Sequence, residues 1–501
     1  MHYAFSISLI LFFWMASCSV GPAYTPPCIE VPSNWKNSQD EACENCQSPE
    51  EEDVYYFEHW WEIFGDEKLN ELELEALENN RDLFVAWERI EEAHGLMGIA
   101  AADLYPQLTI NPLFTNTEEL IKVFGGLLPK NLIRAHELLY FLPLNLNYQV
   151  DLWGQIRDQY DSATYDWEAQ IEAFNGTMLT LTANLATAYY QLRAADAQED
   201  LLLATLKTRE KAFEITKARY EGEISFYSDV SQAGEEVASV QAQYYEVVRQ
   251  RALLEDQVAV LIGAPASEFC LEHNPLTGLP PCIPEGIPSE VLIRRPDVAQ
   301  AELEAMSENA LVKRAYSLFF PSLSLTASGG SESPLARQFL KWNSRYWMIG
   351  AGSNQIVFDG FRTSSNLEAA IARFKEASGT YQQTVLIAFQ EVEDSLADLD
   401  SFAKQYNSTS TAVDFAQKAY QLYLDRYNSG ITYYIDVVNT ERDLLAFQIN
   451  LNNLRGFRFV STIQLVKALG GGWDIDEDNE EQDVALEEEV SNEICREEID
   501  L

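Results

Sequence analysis

The residues able to do chemistry are few and scattered. Cys43 and Cys46 have the spacing of a metal knuckle, but no second cysteine pair and no nearby histidine completes a site. His2, His59, His94, His136 and His273 are spread along the 501 residues and suggest no ligand cluster. No nucleophile stands in a pattern with a base, so an enzyme is the least supported class, and no cofactor or metal is expected. What recurs is a carboxylate. Asp229 follows Arg219-Tyr220, Asp436 follows Arg426-Tyr427, and each opens an amphipathic run. The plainest role for such an aspartate is to cap a helix N-terminus.

The elements carrying these aspartates are written twice. Asp229 to Asp436, Arg251 to Arg458 and Gly263 to Gly470 share one offset, 207 residues. A constant offset over such a stretch marks a duplicated structural unit. The first copy continues through Val237, Val240, Tyr244, Val247, Leu254 and Val258, the second through Leu444, Phe447, Leu451, Leu454 and Leu465. Steps of three and four make each a helix with a coiled-coil-like seam. Arg251 and Arg458 interrupt the two seams at equivalent places and are expected to pair with acidic groups between helices.

Composition bounds the rest. With 47% hydrophobic residues the chain can build a large core, while a formal charge of −45 repels nucleic acid and suits a self-repelling surface or a passage for cations. Ala4 to Trp14 is too short to span a bilayer and ends in Met15-Ala16-Ser17-Cys18, resembling a bacterial lipoprotein signal that leaves Cys18 as the lipidated first residue. Export would let Cys28, Cys43, Cys46, Cys270, Cys282 and Cys495 pair as disulfides.

Trp60 to Ala102 is expected to be helical, ending at Pro106. Two strand candidates follow: one over Leu108 to Thr115, and one over Glu137 to Leu152. In the second every other residue is apolar, and from Asn145 onward Asn145, Asn147, Gln149 and Asp151 fill the opposite face. Its length fits a membrane-spanning strand of about 9 to 11 residues with some excess. The Asp151-Leu152-Trp153-Gly154 corner opens a helix from about Gln155 to Tyr220, roughly 100 Å long, which reverses around Gly222. The plan then restarts with helix Val298 to Tyr316, strands beginning at Leu323 and Arg345, and a second long helix reversing at Gly430. The expected organisation is a signal peptide (1–17), a lipid-anchored extended arm (18–53), a first repeat (54–265), a linker (266–293), a second repeat (294–473) and an acidic, disordered tail (474–501).

Four lipid-compatible strands cannot live alone in a bilayer, because open edges leave N–H and C=O groups unsatisfied. Several chains must therefore pool their strands, and three would supply twelve. The motifs then become specific. Trp60-Trp61, Phe64, Asp66, Leu69, Ala76-Leu77, Asn80, Asp82-Leu83, Arg89, Ala93 and Pro106 resemble the opening helix of the outer-membrane efflux protein family, the TolC-like channels, in their lipoprotein branch. Cys18-Ser19-Val20-Gly21-Pro22, Arg294-Arg295-Pro296-Asp297, Phe320-Pro321-Ser322-Leu323 and Leu469-Gly470-Gly471-Gly472-Trp473 extend the resemblance.

The resemblance implies a mostly α, internally duplicated chain whose homotrimer builds a twelve-stranded transmembrane β-barrel on a periplasmic helical barrel. It also implies an outer-membrane location, lipid-anchored and reaching into the periplasm, with cargo received from an inner-membrane efflux pump through a periplasmic adaptor protein. The pore gate would lie at Tyr427, Asp436 and Asn439, where a ring of carboxylates resists anions and binds cations. Asn439 stands where the family's second aspartate is usual; Asp229 and Gln232 are the secondary gate candidates. Glu223 occupies a turn position where glycine is expected, and Phe361 replaces the second glycine after Asp359. The alternatives are the exit duct of a type I protein-secretion system and a lipid-anchored periplasmic helical scaffold without a pore.

Overall fold

The computed structural model describes residues 20–29, 31–36, 57–122, 132–283 and 294–471. The signal peptide, Cys18, Cys43, Cys46, Cys495 and the acidic tail lie outside the described residues. By internal contact the chain forms two units: Met1–Pro26, Arg89–Gln170 and Ala301–Tyr381 in one, Pro27–Glu88, Ile171–Gln300 and Gln382–Leu501 in the other.

The first unit holds an antiparallel sheet of β1 (Gln107–Ile110), β2 (Leu113–Lys122), β3 (Leu132–Val150), β4 (Ser322–Ser333) and β5 (Arg345–Asn354). The strand expected over Leu108 to Thr115 is interrupted at Asn111-Pro112, since proline cannot donate to a ladder. Its two pieces, β1 and β2, lie along the same edge of β3, and the order continues through β4 to β5.

Register makes the sheet two-faced. Leu146 pairs with Leu108 and Ala327, and Ala327 with Ile349. One residue along, Asn147 pairs with Gln107 and Thr326, and Thr326 with Gly350. The apolar face is open: Trp347 is 80% and Ile349 76% exposed. Aromatic side chains mark both ends of that face. Phe114, Tyr140 and Phe339 form a chain with ring centroids 4.9 and 6.1 Å apart. At the other end Trp153 stacks on Phe320 at 4.8 Å, and Val357, Phe358 and Phe361 stand exposed just past β5. Girdles of this kind flank the lipid band of outer-membrane barrels.

Helices α1 (Glu67–Asn79), α2 (Arg81–Ala102), α3 (Gln155–Glu221), α4 (Tyr227–Leu261), α5 (Pro296–Ser317), α6 (Arg362–Asn428) and α7 (Tyr434–Ala468) complete the described elements together with 3₁₀ turns at Phe57–Phe64, Ala336–Gln338 and Trp342–Ser344. The single helix expected from Trp60 to Ala102 is thus three pieces. Asp66 starts α1 by accepting from the N–H groups of Lys68 and Leu69 at 3.0 and 3.2 Å. Asn80 is the joint between α1 and α2. Its Oδ1 accepts from the N–H groups of Asp82 and Leu83 at 2.8 and 3.0 Å, and its Nδ2 donates to the Leu261 carbonyl at 2.8 Å.

The duplication persists in the backbone. Helix α6 starts at 362 against 155 for α3 and ends at 428 against 221; α7 starts at 434 against 227 and ends at 468 against 261, so every boundary shifts by 207. The hairpin tips match bond for bond. The Ile224 N–H donates to the Arg219 carbonyl and the Ile431 N–H to that of Arg426, both at 2.9 Å. Both turns need a left-handed residue, which is Gly430 (φ 75°) in one and Glu223 (φ 56°) in the other. At Glu223 the Cβ costs roughly 1–2 kcal/mol that glycine avoids. Phe361 (φ 68°), 207 residues after Gly154 (φ 85°), repeats the case at the strand-to-helix corner. The two departures from the expected glycines leave both turn geometries intact.

In the second unit α3, α4 and α7 share a core of Ala195, Leu202, Leu206, Val240, Val247 and Leu445, of which Val240 and Val247 belong to the seam read in the sequence. Cys28 and Cys282 are both disulfide-bonded, and Cys270 is an exposed free thiol.

Candidate functional site

Asp436 and Asp229 each occupy the third position of a helix, α7 and α4, where the helix dipole favours a carboxylate. Neither helix has a side-chain N-cap: Tyr433 and Phe226 stand there instead. The two aspartates then differ. Thr432 donates its hydroxyl to Asp436 Oδ2, fixing that half-buried carboxylate against the turn. Asp229 receives Ser228 at 3.3 Å, while Ser225, at the Thr432-equivalent position, turns to the Thr216 carbonyl. Asn439 is exposed one turn along from Asp436, and Gln232 is half-buried on α4.

Tyr427 joins the two hairpins. The Arg219 guanidinium of α3 lies 5.2 Å over its ring, and Tyr434 packs 5.5 Å from it. The equivalent pair, Tyr220 and Tyr227, has the same 5.5 Å separation, but Arg426 stays on its own helix over Tyr423. The hairpin-to-hairpin contact is therefore one-sided.

A charge cluster that the sequence reading missed lies seven residues beyond Asp229, roughly 10 Å along α4. Glu236, 3% exposed, accepts from Arg209 of α3 and Arg442 of α7. Arg209 reaches Glu441 at 3.5 Å, and Arg442 reaches Glu235 at 3.2 Å. Burial pushes the Glu441 carboxyl up despite Arg209 beside it, while the bond to Glu236 raises Arg442 further. A signal was present: Glu235 and Arg442 are equivalent positions of the two copies, carrying opposite charges.

Farther along, Arg251 makes the acidic pairing expected of it, with Asp196 at 2.7 Å and Glu255 at 3.3 Å. Arg458 does not. The position equivalent to Asp196 is Ala403, so Arg458 lies 5.5 Å over Tyr406 and burial lowers its pKa. The fold also brings the linker residue His273 within 3.3 Å of Asp196, 3.1 Å of Asp200 and 4.0 Å of Glu199, which its isolated place in the sequence did not show. Arg193, Arg251 and the Asn274 N–H already occupy both Asp196 oxygens, so this cluster is an ion-pair clasp on the linker.

Known proteins share this plan. The family described as outer membrane efflux protein matches residues 74–264 and 287–471. The chain belongs to that family. It is 29% identical over 471 residues to the solvent efflux pump outer membrane protein SrpC of Pseudomonas putida, covering 94% of this chain and 98% of the relative. The probable outer membrane lipoprotein SilC of Salmonella typhimurium is 28% identical, over 93% of this chain and 98% of its own. Among solved structures the outer-membrane channel OprN superposes with a TM-score of 0.82 at 26% identity, covering 91% of this chain and all of that one. This member of the family is an outer-membrane efflux channel with the TolC-like fold, and channels of the family work with adaptor proteins and inner-membrane pumps.

Proposed function

We propose that three copies of this chain close a twelve-stranded barrel and form a passive exit duct, without chemistry of its own, for small molecules delivered by an inner-membrane pump through a periplasmic adaptor. The sheet edges carry this reading. β1 and β2 form one edge and β5 the other, and among the described strands neither has a second neighbour. With an apolar face fit for lipid, those edges need strands from further copies. A helical scaffold has no use for such a sheet, and the efflux names of the relatives favour small-molecule export over protein secretion.

The gate is assigned to the tips, with Asp436 as its carboxylate, Asn439 beside it and Tyr427 as the inter-hairpin contact. Asp229 and Gln232 are secondary. One ring of three carboxylates next to a ring of amides binds cations more weakly than two carboxylate rings. In planar bilayers, Asp436→Ala should lower cation preference and enlarge the open current. Unchanged selectivity would remove Asp436 from the gate, and a protein that forms no channels at all would remove the duct.

Cys18 is assigned as the lipidated residue. Two residues on, the Val20 N–H donates to the Trp153 carbonyl at 3.4 Å, and Trp153 in turn donates to the Pro321 carbonyl at 2.9 Å. Gly21 passes so close to α5 that a Cβ there would lie 2.9 Å from Lys313. Val20 and Gly21 are thus pinned at the corner where the apolar face begins, two residues along the chain from Cys18. Intact mass of the purified protein should show cleavage before Cys18 plus acyl chains; an unmodified Cys18 refutes the assignment.

A further inference from the structure

The polar face of the sheet has an apolar interruption. On that face Asn145, Asn147, Gln149 and Ser324 give way, toward the far end of β3, to Pro143, Phe141 and Leu139, and Phe141 stacks on Tyr346 of β5 with centroids 5.4 Å apart and planes 18° from parallel. The rings reach each other across β4 because Gly330 lies there, paired with both Pro143 and Tyr346. A Cβ at Gly330 would collide with the Leu142 backbone. The Tyr346 hydroxyl lies 3.2 Å from Ser328 Oγ, which donates to Asn145 Oδ1 at 2.7 Å. The pair is therefore tied across three strands, and Met348 extends it, 60% exposed.

We propose that Phe141 and Tyr346 form an aromatic shelf on the lumen wall that retains planar aromatic cations in transit. The inference rests on the duct reading, in which the polar face lines the pore. Packing explains the apolar face through lipid, but no lipid meets this one, so the shelf faces whatever the pore carries. Glu332 of β4, exposed and the register partner of Phe141, sets a carboxylate beside the shelf that attracts cations, and aromatic faces attract them further. A planar aromatic cation satisfies both.

Single-channel recording with N-methylquinolinium, a planar aromatic cation, against tetraethylammonium tests this on the full chain. The aromatic cation should dwell longer in the native channel. Phe141→Ala should shorten that dwell about three- to tenfold and shorten the aliphatic cation's dwell by less. Phe141→Leu, which keeps apolar bulk over Gly330, should give the same loss, and Tyr346→Phe should retain the native dwell. Equal dwell of the two cations in the native channel, or native aromatic dwell in both Phe141 variants, overturns the shelf. Failure to conduct at all would count against the duct instead.

Discussion

Glu236→Gln should open the channel. Glu236 is the acceptor shared by Arg209 and Arg442, and through them it ties α3 and α4 to α7 at one buried point. Dilating the tips requires the two hairpins to slide or part, which breaks these bonds. Hydrogen bonds to charged groups contribute about 1.5–3 kcal/mol each, so losing one from the closed state raises opening by about tenfold or more. The variant should also lose roughly 3 kcal/mol of stability, because Arg209, 4% exposed at its side chain, keeps its charge beside a neutral amide. Salt separates this latch from its surface neighbour. The Arg442–Glu235 pair, 47% and 69% exposed, is screened at high ionic strength, while the Glu236 contacts largely persist. Open probability in bilayers, measured for native and Glu236→Gln channels at low and high salt, checks both statements. An unchanged open probability would show that the cluster is a fold element with no part in gating.

Glu73→Met should act in the other direction, on stability alone. Glu73 lies on α1 among Leu69, Leu72 and Ala76, fully buried, and neither carboxyl oxygen has a hydrogen-bond partner. Burial pushes its pKa well above the ordinary value, so the folded chain holds it as a neutral acid. An unpartnered buried polar group costs about 1–3 kcal/mol by mutational measure, which methionine of similar volume removes. The pH dependence follows from linkage. Below about pH 4.3 both folded and unfolded chains carry the proton, and as pH rises the unfolded chain ionises first and is stabilised by doing so. Native stability should therefore fall, relative to Glu73→Met, from about that pH until the folded carboxyl itself ionises. Denaturation of both proteins from pH 4 to 8 tests this; a gap that does not widen with pH would mean that Glu73 is ionised and paired in the folded protein.

The legible and illegible parts of the molecule divide along physical lines. Hairpin lengths and strand faces were readable because periodicity reports burial directly: α3 and α6 begin and end within a few residues of expectation, and β3 alternates as its sequence does. The break at Asn80 was hidden because one residue both ends α1 and caps α2, leaving the apolar period undisturbed across the joint. The proposed gate aspartates could be named only through family motifs, since an aspartate in a first helical turn looks the same whether it caps or gates. The latch at Glu236 and the clasp at His273 depend on which side chains meet after the chain has folded back over tens of residues, and single-helix periodicity carries nothing about that. Even so, the copies encoded part of it: where a duplicated position reverses its charge, as Glu235 and Arg442 do, the two copies have specialised to bind each other.

The bare edges of the sheet bear on how the protein reaches its place. An exported chain must cross an aqueous compartment before its neighbours arrive, carrying Trp347, Ile349 and, among the described strands, two edges without a second neighbour, the kind of surface on which chains aggregate. Its charge of −45 then serves in transit as well as in the finished duct. Mutual repulsion keeps unassembled copies apart in solution. In the proposed duct, strand pairing and lipid contact at the membrane must outweigh that repulsion for copies to join.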